Sequence, residues 1–263
     1  MIRVTLLGTG GSAGVPMIGG PDGFGDWGVC DPREPRNRRT RASILIETGG
    51  GALLVDTSPD MRAQCLACGV RRVDAVLFTH AHADHIMGLD DVRILNRIAG
   101  RPLAAYATQQ TLADLTVRFD YAFRPWSGPG FYRPVLAARE VEPGTTIEAA
   151  GMAVRLFDQD HAVTRTLGLR VGGFAYSTDA VVLDEAAFAA LEGVDTWVVG
   201  CFQRTPHRTH AWLDRALDWA ARVGARRTVL THMGTDLDWS WLRGNLPSGV
   251  EPGYDGQVLE CPA

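Results

Sequence analysis

Seven residues constrain this chain more than any others: Thr79-His80-Ala81-His82-Ala83-Asp84-His85, which follow the apolar run Val76-Leu77-Phe78. Three imidazoles and a carboxylate fall within six positions, at the end of what reads as a strand buried on both faces. Side chains of an extended segment alternate, so His80 and His82 project to one side and can chelate a single ion. Asp84 and His85 follow where a helix begins, placed for a neighbouring ion. Imidazole and carboxylate are ligands that zinc takes at about 2.0–2.2 Å. A fold for this sequence must bring further ligands to this point.

The other histidines sit where such ligands would come from. The chain has 7 histidines, and outside the cluster they are His161, His207, His210 and His232. His161 closes Phe157-Asp158-Gln159-Asp160-His161, and His232 ends the strand candidate 226–231. His207 and His210 lie in Pro206-His207-Arg208-Thr209-His210, just ahead of a helix candidate. Asp179, at the end of Tyr176-Ser177-Thr178-Asp179, is a further strand-end carboxylate.

Between these points, short β-rich runs alternate with amphipathic ones. The pattern predicts strands at 2–7, 43–48, 52–56, 74–79, 102–106, 152–157, 167–171, 173–177, 195–200, 226–231 and 257–260. Helices are predicted at 59–68, 88–98, 108–119, 184–191, 211–223 and 238–244. Sheets covered by helices follow, an α/β layered architecture in one domain over 1–263. The halves echo each other: residues 73–80 resemble 225–232, both ending in Thr-His, and residues 53–58 resemble 174–179. Two sandwiched sheets offering ligands at strand ends would produce that echo. Segments 18–41 and 121–135 read as irregular loops, the second aromatic, with Tyr121, Phe123, Trp126, Phe131 and Tyr132. Long loops of this kind often line a site.

Composition removes several classes of chemistry. All 26 basic residues are arginine, so neither a Schiff-base lysine nor a lysine-dependent phosphate loop is available. The formal net charge of -4 argues against an extensive nucleic-acid surface. No apolar run has the length of a membrane span, and the first residues enter a strand without a leader-like layout, which predicts a cytoplasmic protein. Five cysteines, Cys30, Cys65, Cys68, Cys201 and Cys261, are an odd number spread along the chain and argue against a disulfide framework. Cys65 and Cys68 fall in a helix candidate and read as small apolar residues on one face rather than a metal or redox pair.

The motif His80-x-His82-x-Asp84-His85 after a strand resembles the signature of the metallo-β-lactamase-fold hydrolases. Nearly the whole chain shares the likeness, which is nearest to the branch containing the phosphoribosyl 1,2-cyclic phosphate phosphodiesterases. Matching stretches include Leu7-Gly8-Thr9-Gly10-Gly11-Ser12, Pro35-Arg36-Asn37-Arg38-Arg39, Asp56-Thr57-Ser58-Pro59-Asp60, Gly88-Leu89-Asp90-Asp91-Val92-Arg93 and Leu230-Thr231-His232-Met233. The resemblance implies an αββα sandwich of two mixed sheets flanked by helices. It also implies two divalent ions, Zn2+ or Mn2+: one held by His80, His82 and His161, the other by Asp84, His85 and His232, with Asp179 bridging. Such a pair lowers the pKa of a shared water and clamps a phosphoryl oxygen.

The expected activity is hydrolysis of a small, cyclic phosphodiester to a phosphomonoester. His210 and Asp84 are the residues expected to act directly, His210 on the phosphate or the leaving oxygen. Asp56 either orients a ligand histidine or caps a helix with Thr57 and Ser58 nearby. Arg38, Arg93 and His207 are candidate substrate contacts. The arginines of 36–41 read at least as readily as a loop pinned to acidic residues such as Asp90 and Asp91, and His207 as a surface residue. In that branch a cysteine cluster of the early loop holds a further structural zinc. Only Cys30 remains here, and one thiolate cannot close a tetrahedral site, so that zinc is expected to be absent. The partners expected are a small phosphorylated substrate and no membrane, with a homodimer left open. Rival activities are thioester or other ester hydrolysis, tRNA 3′ processing, and a carrier role like that of the accessory protein of pyrroloquinoline quinone synthesis.

Overall fold

Period-2 alternation builds the first sheet. In the computed structural model, which describes residues 1–125 and 135–263, β1 (Ile2–Gly8), β2 (Ser43–Thr48) and β3 (Gly51–Val55) form an antiparallel ladder. The chain then passes through α1 (Met61–Ala67), β4 (Ala75–Leu77), the single turn α2 (Ala83–Ile86), α3 (Val92–Ala99), β5 (Leu103–Ala107), α4 (Gln109–Arg118), α5 (Asp120–Phe123) and β6 (Leu136–Glu140). Strands β3 to β6 are parallel. The second half runs β7 (Thr146–Ala149), β8 (Met152–Asp160), β9 (Arg165–Val171), β10 (Phe174–Ser177), α6 (Glu185–Leu191) and β11 (Thr196–Gly200). It continues through α7 (Leu213–Val223), β12 (Arg227–Thr231), α8 (Trp239–Asn245), β13 (Val250–Pro252) and β14 (Val258–Cys261).

Two seven-stranded mixed sheets result, ordered β14-β1-β2-β3-β4-β5-β6 and β13-β12-β11-β10-β9-β8-β7. Alternation decides what each face buries. Ile44, Ile46, Leu53, Val55 and Leu77 of the first sheet meet Leu156, Leu169, Tyr176, Val198 and Val229 of the second in a central core. Leu45, Leu54, Val76 and Phe78 face the other way, under α3 and α4. Trp197, Val199 and Leu230 likewise pack under α6, α7 and α8. The order of layers is helix, sheet, sheet, helix, as the resemblance implied.

The helices start and stop on local signals. Thr108, Asp184 and Asp238 accept hydrogen bonds from backbone N–H groups in the first turns of α4, α6 and α8. Gly100 and Gly224 end α3 and α7 in the left-handed conformation, at φ 68° and 64°. Each sheet switches from antiparallel to parallel pairing at one strand, β3 in the first and β10 in the second. The echo between residues 53–58 and 174–179 is therefore topological. That between 73–80 and 225–232 is not, because the strand after the switch in the second sheet is β11 rather than β12.

Several expectations change. The helix expected at 88–98 begins as a 3-10 turn at Leu89–Asp91 and becomes α-helical only from Val92. Strands β6, β7 and β13 were not expected; all three are short strands at sheet edges, β6 burying only its first residue and β7 only its last. Residues 121–123 of the expected loop are helical, within α5; Trp126, Phe131 and Tyr132 lie outside the described residues. Cys65 and Cys68 pack partly buried against the helix-covered face of the first sheet, in keeping with their apolar reading. The arginine segment is pinned, but not to Asp90 and Asp91. Arg36 pairs with Glu34 at 2.8 Å, Arg41 with Asp60 at 3.1 Å, and the buried Arg39 donates to the carbonyls of Gly234 and Leu237. Among the described residues no helix is long and apolar enough to cross a membrane.

Candidate metal centre

Carboxyl ends of strands from both sheets converge on one point, the place where open α/β sheets present ligands. His80 and His82 follow β4, Asp84 and His85 lie in α2, His161 follows β8, Asp179 follows β10 and His232 follows β12. Two ligand groups emerge, His80 with His82 and His161, and Asp84 with His85, Asp179 and His232; within each, the ligand atoms all lie within 4.8 Å of one another. These are the two sets the sequence resemblance implied. His161, Asp179 and His210 form a third such group.

Asp179 stands between the two sets. Its Oδ2 lies 3.1 Å from His85 Nε2, and its Oδ1 3.3 Å from His232 Nε2 and 3.9 Å from His161 Nε2. Thr178 Oγ1 donates to Oδ2 at 2.6 Å. Asp179, His232 and Asp56 all hold left-handed backbone, at φ 51°, 55° and 62°. Such strain in non-glycine residues costs of order 1–3 kcal/mol each and persists where surrounding structure over-determines it, commonly at functional positions.

Hydrogen bonds to the Nδ1 atoms set the tautomers. His85 Nδ1 lies 2.7 Å from Asp56 Oδ2, and His161 Nδ1 lies 2.6 Å from the carbonyl of Thr209. Both acceptors require the proton on Nδ1, which makes Nε2 the atom that can bind an ion. His80 is set through a relay: Thr79 Oγ1 donates to Asp56 Oδ2 at 2.8 Å and so accepts from His80 Nδ1 at 3.0 Å. Asp56 Oδ1 also accepts from Thr79 N at 2.8 Å. Of the two sequence readings of Asp56, the structure supports orientation of ligand histidines; the N-cap position of α1 is Asp60.

The donor set fits a metal. His80 Nε2 and His85 Nε2 are buried without a hydrogen-bond partner, an arrangement that costs stability unless something with a vacant orbital occupies the space they face. Burial lowers the pKa of His80 and His82, and holds His161 at about 4, so these imidazoles are neutral ligands. Burial also works against charge on His85, but Asp179, Asp56 and Asp84 outweigh it and its pKa lies well above the ordinary value. Burial would raise Asp179 and Asp84, yet the surrounding histidines hold both carboxyls below the usual range.

His210 lies beside this centre. Its Nε2 is 3.0 Å from Asp179 Oδ1, and its Nδ1 is 2.9 Å from Thr209 Oγ1 and 3.2 Å from His207 Nδ1. His207 is thus a half-buried neighbour of His210 rather than the surface residue expected. Burial and the neighbouring His210 lower its pKa. Arg38 is exposed and stacks 4.9 Å over the Trp27 ring, while the exposed Arg93 pairs with Asp90 at 3.3 Å. Neither forms a hydrogen bond or ion pair with the His/Asp cluster among the described residues. Sequence reasoning missed Thr79 and Thr209, whose only signal was a threonine directly before His80 and before His210. It also missed Phe202, whose ring is stacked on His210 with centroids 4.8 Å apart.

Comparison with known proteins agrees with this geometry. The model of the beta-lactamase superfamily domain matches residues 52–233. A crystal structure described as a new diphosphatase from the PhnP family superposes with a TM-score of 0.88 at 34% identity, covering 98% of this chain and 96% of that one. An octanoyltransferase of Porphyromonas gingivalis is 34% identical over 259 residues, 97% of this chain; the chain spans only about half of that relative, 51%. A ribonuclease Z of Mycobacterium sp. (strain KMS) is 28% identical over 299 residues, 99% of this chain and 96% of its own length.

Proposed function

The chain belongs to the β-lactamase superfamily, as a hydrolase of the metallo-β-lactamase fold, and we propose that it hydrolyses a small, cyclic phosphodiester to a phosphomonoester at a centre of two divalent ions, zinc or manganese. One observation carries the reading: the group Asp84, His85, Asp179 and His232 lies beside the group His80, His82 and His161, with Asp179 Oδ1 3.9 Å from His161 Nε2 and His210 Nε2 hydrogen-bonded to the same carboxylate. Ions held by His80, His82 and His161, and by Asp84, His85 and His232, would supply Lewis-acid polarisation of a phosphoryl oxygen and activation of water.

The remaining steps belong to the protein. His210, fixed between Asp179 and Thr209, delivers a proton to the departing oxygen, a role that commonly contributes about 10²–10⁴-fold. His207 fixes the Nδ1 side of His210. Asp84 Oδ2, 3.3 Å from His85 Nε2 and 3.4 Å from His232 Nε2, orients the attacking water from within the ligand set. Arg38 and Arg93 would reach a substrate only from the exposed rim, and the proposal does not depend on them. The net charge of -4 disfavours a tRNA substrate, although relatives named ribonuclease Z match the whole chain.

A second reading, hydrolysis of a phosphoanhydride, is favoured by the 34% identical diphosphatase. The octanoyltransferase likeness keeps acyl esters in the test, although it covers half of that protein. Purified protein assayed with bis(p-nitrophenyl) phosphate, a 2′,3′-cyclic nucleotide, a nucleoside diphosphate and an acyl thioester, before and after chelation, separates these. Chelator-sensitive turnover of the diesters is expected. Turnover of the diphosphate alone establishes the second reading, and turnover of the thioester alone overturns both.

A further inference from the structure

Most of the ligand histidines are aimed by a partner on the far side of the ring. Nδ1 of His80, His85 and His161 faces Thr79 Oγ1, Asp56 Oδ2 and the Thr209 carbonyl, the arrangement that fixes tautomer and ring orientation at metal sites. His82 lacks such a partner. Among the described residues neither of its ring nitrogens forms a hydrogen bond, and its ring lies against those of His80 and His161, with centroids 4.5 and 5.0 Å apart. It is half-buried where the other six ligands are buried, so packing constrains it least. What aims this ring must act through its backbone.

That backbone is held carbonyl by carbonyl. Those of Thr79 and His82 accept from Leu167 N and His85 N, both at 3.0 Å. The Ala81 carbonyl, between His80 and His82, accepts from the Nη1 of Arg118, 37 residues further along the chain. Arg118 lies in the last turn of α4, and Leu115 of that helix is buried against the first sheet, which gives the bond a rigid base. Asp114, one turn back, lies 3.8 Å from Arg118 Nη2 and steadies the guanidinium. An exposed pair of this kind contributes little by itself. A charge-assisted bond to the carbonyl between two ligands is stronger and constrains where an imidazole points. Just past α4, the Tyr121 hydroxyl donates to Asp90 Oδ1 at 3.0 Å. Helices α4 and α5 thus grip the ligand segment at both ends, before His82 and after His85.

We propose that Arg118 is a positioning residue of the metal centre: by holding the Ala81 carbonyl it aims His82, and so sets the affinity and geometry of the site formed by His80, His82 and His161, leaving the Asp84 set unaffected. The proposal rests on the metal-centre reading above and is tested on each ligand set separately, so that the two fail apart.

The test is cobalt(II) titration, followed by d–d absorption, of two proteins that each keep one set intact. His232→Ala retains His80, His82 and His161; His82→Ala retains Asp84, His85, Asp179 and His232. Arg118→Met keeps the side-chain stem and removes the donor. In the His232→Ala protein it should weaken cobalt binding about tenfold, the low end of what an outer partner of a ligand contributes, and shift the absorption band. In the His82→Ala protein the change should stay below about twofold, as for independent sites. Arg118→Lys restores a donor and should recover most of the loss, and urea unfolding of the metal-free Arg118→Met protein should match that of the wild type. Unchanged affinity and spectrum in the His232→Ala protein overturns the proposal. So does an equal loss in both proteins, or a loss accompanied by a lower unfolding midpoint, since either marks a general loosening of the fold. A wild-type chain that takes up no cobalt refutes the metal centre itself, and the proposal with it.

Discussion

Asp56→Asn is the most informative single substitution, because one carboxylate sets a histidine in each ligand group. The change is isosteric, and the amide oxygen it introduces can stay on Thr79 N, where Asp56 Oδ1 accepts at 2.8 Å. The amide NH2 then replaces Oδ2, which in the wild type accepts from Thr79 Oγ1 at 2.8 Å and faces His85 Nδ1 at 2.7 Å. A donor facing Nδ1–H forces His85 into the other tautomer, with its proton on Nε2, the atom aimed at Asp84 and Asp179. The relay reverses too: Thr79 Oγ1 becomes a donor toward His80 Nδ1, and His80 also loses its Nε2 lone pair.

Loss of such an outer partner typically lowers metal affinity about 10–100-fold, equivalent to about 1.4–2.7 kcal/mol. Both ions should be affected, since His80 and His85 belong to different groups. Competition against a chromophoric chelator measures the two affinities, and circular dichroism checks the fold. Excess metal should restore part of the turnover. A folded Asp56→Asn protein with wild-type affinity for both ions would refute the tautomer argument.

His210→Ala should lower turnover by about 10²-fold or more while elemental analysis still finds the wild-type metal content, because the other ligands are untouched; equal turnover would remove His210 from the reaction. Metal uptake by the metal-free protein should release protons near neutral pH, because the carboxylates of Asp179, Asp56 and Asp84 keep His85 charged until an ion displaces its proton. Titration in buffers of different ionisation enthalpy reads that release, and a heat independent of buffer would contradict it. Asp255→Ala should destabilise the fold by about 3 kcal/mol or more, measured by urea unfolding, because the Asp255 carboxylate accepts from the N–H and hydroxyl of both Thr9 and Thr40 at 2.6–2.9 Å; a shift under about 1 kcal/mol would show those donors finding other partners.

Much of this centre is legible in the sequence. Imidazoles and carboxylates are suitable metal ligands, and strand ends are where a layered sheet can gather them, so His80, His82, Asp84, His85, His161, Asp179 and His232 stand out as candidates by residue type and position. The strong strands are equally plain, since β1 to β5 and β8 to β12 bury alternate or consecutive apolar residues. Edge strands such as β6, with the burial of only its first residue complete, carry no pattern to read. What the sequence hides are roles that depend on tertiary neighbours. The Thr79 relay and the Thr209 carbonyl act through polar atoms that any loop threonine possesses. Phe202 follows a strand end like many aromatic residues, and only its packing against His210 gives it meaning. Arg39 looks like one member of a basic run, yet it is 2% exposed and holds the loop after His232 through backbone carbonyls.

The central claim is that strands from two sheets assemble paired ligand sets for divalent ions. Elemental analysis of the purified, zinc-reconstituted protein tests it most directly, alongside His82→Ala and His232→Ala, which strike one set each. The account predicts two ions per wild-type chain and about one in either variant. A reconstituted wild-type chain that retains none, or a single ion lost alike in both variants, would contradict it.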